Sequence, residues 1–557
     1  MSIDSIKTFS MQPVALAQRA AAYDLADDEV RAAAERAAAS VRRLAASSWL
    51  QIGPRDELVL KTLHRMAQGY GVRHPNKAGA QQWFNRMTDP AWWRRALRSR
   101  FRDVELHQIR KGAVHRQAGR YVSDKAMRRF ERNKTYMAGL LSSLDLVNQT
   151  TGEVLPLQDV VDASLANPSN RRKAMMARIK GIEATANTRG HEALFLTITC
   201  PSRMHPRHFS TGAANEAYEG TSPRQAQAYM GRLWNKAMRV LAHQGITPYG
   251  LRVVEPHHDA CPHWHVLAFL PAQQVETFTS VMRAYALADS PNEPGAQERR
   301  FTVERIDPEK GSAVGYVAKY VSKSIDGEGV GQDDESGMAG KDASRRIVAW
   351  ARTWGVRQFQ FFGVPSITPT RELYRLDAEC LPSAGLKAAH EATKANDYAA
   401  WLQACQVHGL RFRVAYSERP SGRYADEITR SITGLKVQGE DLAGVLELVT
   451  RQDAWRIAPR KQERTHGDAA APVLSHPWTR FNNSASIDFK GIFTGPEDGQ
   501  QTRAERLAKP VHHDTKTRAW MASAQALEAA GYGASAAELR QRAWLRMDAL
   551  AMKGRAA

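Results

Sequence analysis

Two histidines separated by one residue stand at the start of an apolar run. In "EPHHDACPHWHVLAFL", residues 255–270, His263 and His265 flank Trp264. Side chains alternate across a β-strand, so both imidazoles project from one face, about 7 Å apart along it, while Trp264 points to the other. Imidazole nitrogens are common ligands of divalent metals. The spacing therefore predicts part of a metal site, and a packed or surface histidine pair is the alternative.

A third ligand is available from the preceding strand. Glu255 ends the run "RVVE", and a hairpin through "HHDACP" brings it back beside the two histidines. Its carboxylate would complete a three-ligand set. His257 and His258 lie in the turn and compete for the same place, so the third ligand stays open between these residues and Glu255.

Two tyrosines share one face of a predicted helix. In "GYVAKYVSKSID", Tyr316 and Tyr320 are four residues apart and Lys323 continues their face. Such a pair commonly only packs against a core. Here the segment also carries Lys319, and it follows the strands that bear the histidines, which favours a functional pair. Lys319 and Lys323 are candidate DNA contacts.

A metal site beside two phenols predicts a particular reaction. A phenol is a weak nucleophile at neutral pH because its pKa is about 10. A divalent metal can offset the charge that develops on a phosphodiester and orient it for in-line attack. Together they predict transesterification, which yields a 5′-phosphotyrosyl protein and a free 3′-hydroxyl. A second tyrosine could cleave the newly made DNA strand while the first still holds the 5′ end of the old strand. Continuous rolling-circle replication requires such a second cleavage.

Strand and helix signals alternate between about residues 180 and 370, around these residues. Ser222 and Pro223 mark the start of one helix, Gly245 marks its end, and Ser312 opens the tyrosine helix. The order βαββαβ, with an added helix and strand, is typical of a ferredoxin-like antiparallel sheet with helices on one face. We predict an α+β fold in which this sheet is flanked by mainly helical N- and C-terminal regions.

The charge balance favours a polyanionic partner. The chain of 557 residues has 78 Lys and Arg against 58 Asp and Glu, a net charge of +20. No signal-peptide layout or long apolar run occurs, so we expect a cytoplasmic protein without a membrane partner. The four cysteines lack CxxC spacing, which argues against a zinc finger or a disulfide framework. No P-loop motif is present, so a host helicase and DNA polymerase would be needed.

A basic, aromatic-containing segment precedes the predicted sheet. Residues 90–134 contain fourteen Lys and Arg, with Trp92, Trp93, Phe101 and Tyr121 among them. This mixture suits either a DNA-tracking surface or a solvated helix face whose aromatics point into a core. On the first interpretation, the candidate phosphate contacts are Arg94, Arg95 and Arg98.

We accordingly predict three regions. Residues 1–175 form a basic, mainly helical DNA-binding region, and residues 176–375 form the endonuclease domain. Residues 376–557 form a mainly helical region of unknown role, with a polar, loop-rich stretch at about 457–517.

Three motifs in order resemble those of one known family. "FLTITCPSRMHP", "EPHHDACPHWHVLAFLP" and "ERIDPEKGSAVGYVAKYVSKSIDG" are similar to the strand, metal and double-tyrosine motifs of the phage replication gene A proteins, in the HUH endonuclease superfamily. The resemblance covers roughly residues 90–375. It implies that His263 and His265 are metal ligands, that Tyr316 and Tyr320 are nucleophiles, and that the metal is Mg²⁺ or Mn²⁺.

The resemblance implies a site-specific enzyme that nicks and joins single-stranded DNA to start rolling-circle replication of a phage or prophage genome. One alternative keeps the catalytic unit in a transposase or relaxase. Another is a non-catalytic nucleic-acid-binding protein in which the tyrosines and histidines only pack or stack.

Overall fold

The computed structural model describes residues 27–46, 56–75, 79–421, 423–424, 426–451 and 453–460, together with residues 521, 524–525, 540–541 and 543. The chain divides into two compact units, each assembled from separate stretches. The first unit takes the described residues within 1–136, 192–363 and 420–427, and the second takes those within 137–191, 364–419 and 428–557.

The described helices are, in chain order, α1 (Asp27–Ala46), α2 (Asp56–Gly69), α3 (Ala80–Met87), α4 (Pro90–Arg110), α5 (Asp124–Ser142), α6 (Leu157–Ala163), α7 (Pro168–Thr188), α8 (Pro223–His243), α9 (Val275–Leu287), α10 (Ala296–Arg299), α11 (Ala313–Lys323), α12 (Gly340–Trp354), α13 (Thr368–Leu373), α14 (Ala384–Lys394) and α15 (Tyr398–Val407). Within the described ranges, no helix has both the length and the hydropathy needed to cross a bilayer.

The strands are β1 (Leu144–Asn148), β2 (Val154–Pro156), β3 (His191–Thr199), β4 (Tyr249–Pro256), β5 (Pro262–Pro271), β6 (Phe301–Arg305), β7 (Phe359–Phe362), β8 (Arg411–Pro420), β9 (Ile428–Gln438), β10 (Leu446–Val449) and β11 (Trp455–Pro459). With the helices they make a mixed α+β structure, as predicted.

A five-stranded sheet with the order β6-β3-β5-β4-β7 forms the centre of the first unit. Strands β4 and β5 pair antiparallel with Glu255 opposite His263. Strands β6 and β7 pair antiparallel with β3 and β4. Contacts from Thr197 to His265 and from Cys200 to Pro262 run in opposite directions along β3 and β5, so this pair is antiparallel too.

One face of this sheet is covered by helices α8 and α9. Trp264 and the alternate residues of β3 and β5, with Val254 of β4, belong to a hydrophobic cluster with apolar residues of both helices. Since side chains alternate along β5, burying Trp264 here turns His263 and His265 to the opposite face. The sheet therefore has a packing face and a face that carries the histidines.

Helix ends lie where the sequence predicts them. Ser222 caps α8 in a capping box with Gln225, and Pro223 occupies the first turn. Gly245, just past the end of α8, has a φ of 73°, which glycine adopts without a Cβ clash. Ser312 accepts a hydrogen bond from Gly315 N and caps the tyrosine helix α11.

The second unit contains two small sheets. Strands β1 and β2 form a hairpin that turns at Thr151 and Gly152, and β11 pairs with the other edge of β1. Strands β10, β9 and β8 form the second sheet.

The prediction of a mainly helical C-terminal region is wrong for residues 376–460. Helices α14 and α15 are present, but four strands, β8 to β11, follow them. Strand β8 reads "RFRVAYSERP", in which Arg411 and Arg413 alternate with Phe412 and Val414, so its half-exposed apolar face gives a weak signal. The predicted polar stretch begins inside β11, and residues 461–517 lie outside the described residues.

Candidate functional site

Glu255, His263 and His265 come together on the histidine-bearing face of the sheet. One ligand atom from each lies within 4.8 Å of the other two, and all three side chains are buried. The Nε2 atoms of His263 and His265 are 2.9 Å apart. Two donors at right angles on one six-coordinate divalent ion, each about 2.1 Å from it, lie about 3 Å apart. The donor set therefore fits a divalent cation.

The protonation states also suit metal binding. Burial lowers the pKa of His265 to about 3, and Lys323 and His257 add to this effect. Burial also holds the pKa of His263 well below its usual value, together with the neighbouring His257 and His265. Both imidazoles are therefore neutral at physiological pH, and a neutral imidazole has a lone pair to offer a metal.

Neighbouring groups hold these ligands in place. The Nδ1 atom of His265 lies 3.1 Å from the hydroxyl of Thr197, which fixes the orientation of the ring. The Ser324 hydroxyl donates to Glu255 Oε1 at 2.9 Å, and Lys323 Nζ lies 3.2 Å from Glu255 Oε2. The Nδ1 atom of His263 is buried, and no described residue offers it a hydrogen-bond partner.

The turn histidines take different positions. His257 stacks on His263 with ring centroids 4.0 Å apart, and its Nδ1 lies 3.1 Å from Glu335 Oε1. His257, His263 and Glu335 form a second group whose ligand atoms lie within 4.8 Å of one another. His258 is buried and contacts the Phe209 ring instead. Glu255 is therefore grouped with both strand histidines as a possible metal ligand, whereas His257 is grouped with His263 and Glu335.

The two tyrosines of α11 lie over the same face of the sheet. The Tyr320 ring centroid is 4.0 Å from that of His265. Tyr316, one turn earlier, donates its hydroxyl hydrogen to Glu304 Oε1 at 3.1 Å. The Phe195 ring lies between them, 5.2 Å from Tyr320 and 6.3 Å from Tyr316. Both tyrosine side chains are partly exposed, so neither is locked in the core.

Both phenols are protonated at neutral pH. Burial and the Glu255 carboxylate raise the pKa of Tyr320 above its usual value. The hydrogen bond to Glu304 raises the pKa of Tyr316. A reaction at either hydroxyl must therefore remove its proton, and Glu304 already accepts a hydrogen bond from one of them.

Lys323 is placed differently from the DNA contact predicted for it. It is 6 % exposed, and its ammonium lies between Glu255 and Asp333, 2.7 Å from Asp333 Oδ1. Burial opposes its charged form, but Glu255, Tyr121 and Asp333 raise its pKa overall, so it remains a cation. Lys319 is exposed and forms an ion pair with Asp334.

The predicted arginine contacts lie on α4. Arg95 and Arg98 are exposed and Arg94 is partly buried. The aromatic residues of this segment differ in burial. Trp93 and Tyr121 are fully buried, as expected if they pack into a core. Phe101 is partly buried beneath the guanidinium of Arg129, 4.0 Å from its ring centroid. Trp93 and Tyr121 are therefore inaccessible to nucleobases.

Three neighbours of the site were missed in the sequence, and two of them come from a loop. Asp333 and Glu335 lie between α11 and α12, where no periodic pattern ties them to the hairpin. Phe195 was visible only as one apolar residue of β3. Its alternation with Leu194 and Leu196, which face the core, is the signal that could have placed it on the histidine face.

Comparison with known proteins identifies the family of this chain. Residues 27–328, more than half of the chain, match the model of the family described as "Bacteriophage replication gene A protein (GPA)". The matched range contains the histidines, Glu255 and both tyrosines of α11. No solved structure matches the chain.

Several curated phage and prophage proteins are similar over most of the chain. The "Replication protein" of Haemophilus phage HP1 is 34% identical over 72% of this chain and 53% of its own length. The "Replication gene A protein" of Escherichia phage 186 is 35% identical over 68% of this chain and 56% of its own length. A "Probable replication endonuclease from prophage-like region" of Salmonella paratyphi A is 31% identical over 84% of this chain and 59% of its own length. The chain thus spans little more than half the length of these relatives.

Proposed function

Because the chain belongs to the bacteriophage replication gene A protein family, we propose that it is a site-specific endonuclease that nicks and joins single-stranded DNA. In this role it starts rolling-circle replication of a phage or prophage genome through a 5′-phosphotyrosyl intermediate. Relatives that bear the name replication endonuclease support the nuclease part of this proposal.

One observation supports the proposal above the others. Glu255, His263 and His265 offer three ligand atoms within 4.8 Å of one another, and the ring of Tyr320 lies 4.0 Å from that of His265. A phosphodiester held by this triad of Glu255, His263 and His265 would therefore lie close to the phenol of Tyr320. Tyr316 belongs to the same helix. A purely structural histidine pair needs neither a buried carboxylate beside it nor partly exposed tyrosines.

The triad would hold Mg²⁺ or Mn²⁺, ions that accept carboxylate and imidazole ligands together with water. When bound, such an ion would offset charge on the scissile phosphate and orient it. Two histidines also suit zinc, so a preparation could contain that ion instead. His265, held by Thr197, and Glu255, held by Ser324, keep the ligand atoms oriented.

The chain's own residues account for the bond changes. The phenol oxygen of Tyr316 or Tyr320 attacks phosphorus and forms a P–O bond as the bond from phosphorus to the 3′-oxygen breaks. The phenol loses its proton, to Glu304 in the case of Tyr316 and to solvent in the case of Tyr320, and the 3′-oxygen takes up a proton from solvent. The phosphoester bond is retained in the adduct, so a strand can be rejoined without ATP.

The sheet supports the same assignment. If β3 is counted as the first strand, the order β6-β3-β5-β4-β7 reads 4-1-3-2-5. The first four positions correspond to a ferredoxin-like βαββαβ arrangement, and β7 is an added edge strand. We propose that this is the HUH domain, that the melted origin is its substrate, and that a host helicase and DNA polymerase act with it in the bacterial cytoplasm.

The test is formation of a covalent adduct. Labelled single-stranded fragments tiling the producing genome are incubated with the protein and Mg²⁺ and then denatured. We expect an adduct that survives denaturant, impaired strand transfer in Tyr316→Phe and in Tyr320→Phe, and no adduct in the double variant. Chelation of the metal and His263→Ala should each prevent cleavage while DNA binding remains.

Tyr285→Phe, on α9 outside the site, is the matched control and should form adduct normally. An adduct in the double phenylalanine variant would overturn the assignment of the nucleophiles. Binding without any adduct would instead support a non-catalytic protein, and cleavage confined to transposon ends or a plasmid transfer origin would support a transposase or relaxase.

A further inference from the structure

An exposed phenylalanine lies at the edge of the histidine cluster. Phe209, in the loop between β3 and α8, is 53% exposed. Among the described residues of the first unit, the large apolar side chains with comparable exposure are Phe209 and Val303, and only Phe209 is aromatic. A single exposed apolar side chain is common on protein surfaces, so the case for a ligand at Phe209 depends on what surrounds its ring.

The ring is held in place rather than left loose. The guanidinium of Arg116 lies 4.9 Å from its centroid, and the His258 ring meets it at 64° with centroids 5.2 Å apart. The loop itself is braced by a bridge between Arg207 and Ala214. A ring fixed in this way can offer an aromatic surface to a planar ligand at little cost in side-chain entropy.

Several cationic side chains belong to residues 110–120, the segment of Arg116, and to the loop of Phe209 itself. Arg110, Arg120 and Arg207 donate hydrogen bonds to main-chain carbonyls, of Gly220, Arg116 and Arg110 respectively. A carbonyl acceptor leaves the full positive charge of a guanidinium in place, unlike a carboxylate. Lys111 and Arg116 are exposed beside them. The surface therefore joins one aromatic ring with several cations that can bind phosphates.

The position of Phe209 relates it to the proposed reaction. Phe209 contacts His258, the neighbour in sequence of His257, and His257 stacks on His263 at 4.0 Å. Tyr320 contacts the triad from its other end, through His265. A strand whose phosphate lay at the triad, with Tyr320 on one side, would continue toward Phe209 on the other.

We propose that Phe209 is a stacking platform for a nucleobase of single-stranded DNA close to the scissile phosphate, with Arg116 and its neighbours holding the adjoining phosphates. The proposal rests on the proposed function for the identity of the strand. Unpaired bases stack on aromatic rings while basic side chains follow their backbone, and stacking tolerates different bases. A duplex hides the faces of its bases and is not the expected ligand.

The experiment separates base stacking from phosphate binding. The full chain carrying Tyr316→Phe and Tyr320→Phe, which cannot form the adduct, is titrated with fluorescent oligodeoxythymidylate and with an abasic strand of equal length. Fluorescence anisotropy should show that Phe209→Ala weakens binding of oligodeoxythymidylate roughly five- to a hundred-fold. Binding of the abasic strand should not change, and Phe209→Trp should retain tight binding.

Val303→Ala is the control, because Val303 is the other exposed large apolar residue described in this unit, and it should leave both affinities unchanged. A strand containing 5-iododeoxyuridine should photocrosslink to Phe209, as located by mass spectrometry. The proposal would be overturned if Phe209→Ala weakened binding of both strands equally or left binding of oligodeoxythymidylate unchanged. Tighter binding of duplex than of single strands would also overturn it. Because none of these measurements needs cleavage, its failure is distinguishable from failure of the nicking reaction.

Discussion

Lys323 connects Glu255, a member of the proposed metal triad, to the loop that follows helix α11. Its ammonium lies 3.2 Å from Glu255 and 2.7 Å from Asp333, and all three side chains are almost fully buried. Asp333 also accepts hydrogen bonds from Tyr121 and from Ser336. A buried cation between two buried carboxylates offsets the repulsion that would otherwise separate them.

Replacing Lys323 with methionine should destabilise the protein strongly. Methionine fills a similar volume, but it leaves Glu255 and Asp333 buried without a counter-charge. Loss of one partner from a buried ionic group costs about 3–5 kcal/mol. The decrease in the free energy of unfolding can be measured by urea denaturation. Lys319→Met, which removes an exposed ion pair from the same helix, should cost at most about 1 kcal/mol. Equal losses in the two variants would show that Lys323 does not balance the carboxylates.

Among individual residues, the sequence predicted those whose positions follow from the periodicity of one strand or one helix. Alternation along β5 places His263 and His265 together, and helical spacing places Tyr316 with Tyr320. The same helical face carries Lys323 down to the sheet, which is why it is buried beside Glu255 instead of meeting DNA. Glu335 and Phe209 come from loops, where no period relates sequence to direction, so sequence reasoning did not find them.

At the scale of elements, helix α8 covers the packing face of the sheet, so the two histidines lie on the opposite face. Its start is fixed by reciprocal hydrogen bonds: Gln225 N donates to the Ser222 hydroxyl at 3.3 Å, and Ser222 N donates to Gln225 Oε1 at 2.9 Å. These bonds satisfy main-chain N–H groups that the first turn of a helix leaves unpaired.

Ser222→Ala should therefore lower the free energy of unfolding by about 1 kcal/mol. The alanine cannot accept the hydrogen bond from Gln225 N, whereas Ser222→Asn can and should lose much less. Ser210→Ala, at an exposed loop position, is the control. Thermal unfolding measures the change, and hydrogen exchange at the first turn of α8 reports where it occurs. Unaltered exchange there in Ser222→Ala would contradict the role of the cap.

The strands differ in how clearly the sequence shows their hydrophobic pattern. Strands β4 and β5 are buried on both faces, so they appear as mainly apolar runs that are easily recognised. Strand β8 is mostly exposed or half-exposed, and its arginines obscure its alternation. Its pairing with a strand of the same sheet cannot be seen from local sequence, because the partner's register depends on tertiary packing.

At the scale of the whole molecule, the net charge of +20 is the feature that bears most directly on DNA. Part of this charge is paired: Arg345, for example, lies 2.7 Å from Glu131. The cations around Phe209 instead donate to main-chain carbonyls or are exposed. Unpaired cations release counterions from DNA when they bind phosphates, whereas paired cations contribute less.

Salt dependence should therefore distinguish the cations around Phe209 from the ring itself. For single strands, the logarithm of the binding constant falls with the logarithm of salt concentration by about 0.7 for each phosphate neutralised. The double variant Lys111→Gln and Arg116→Gln should reduce this slope by about 1.4, since two contacts are lost. Arg345→Gln should leave the slope unchanged because its charge is already paired with Glu131. Phe209→Ala should weaken binding at every salt concentration without altering the slope, since stacking releases no counterions. A change of slope in Phe209→Ala, or none in the double variant, would mean that phosphate and base are not held by these separate groups.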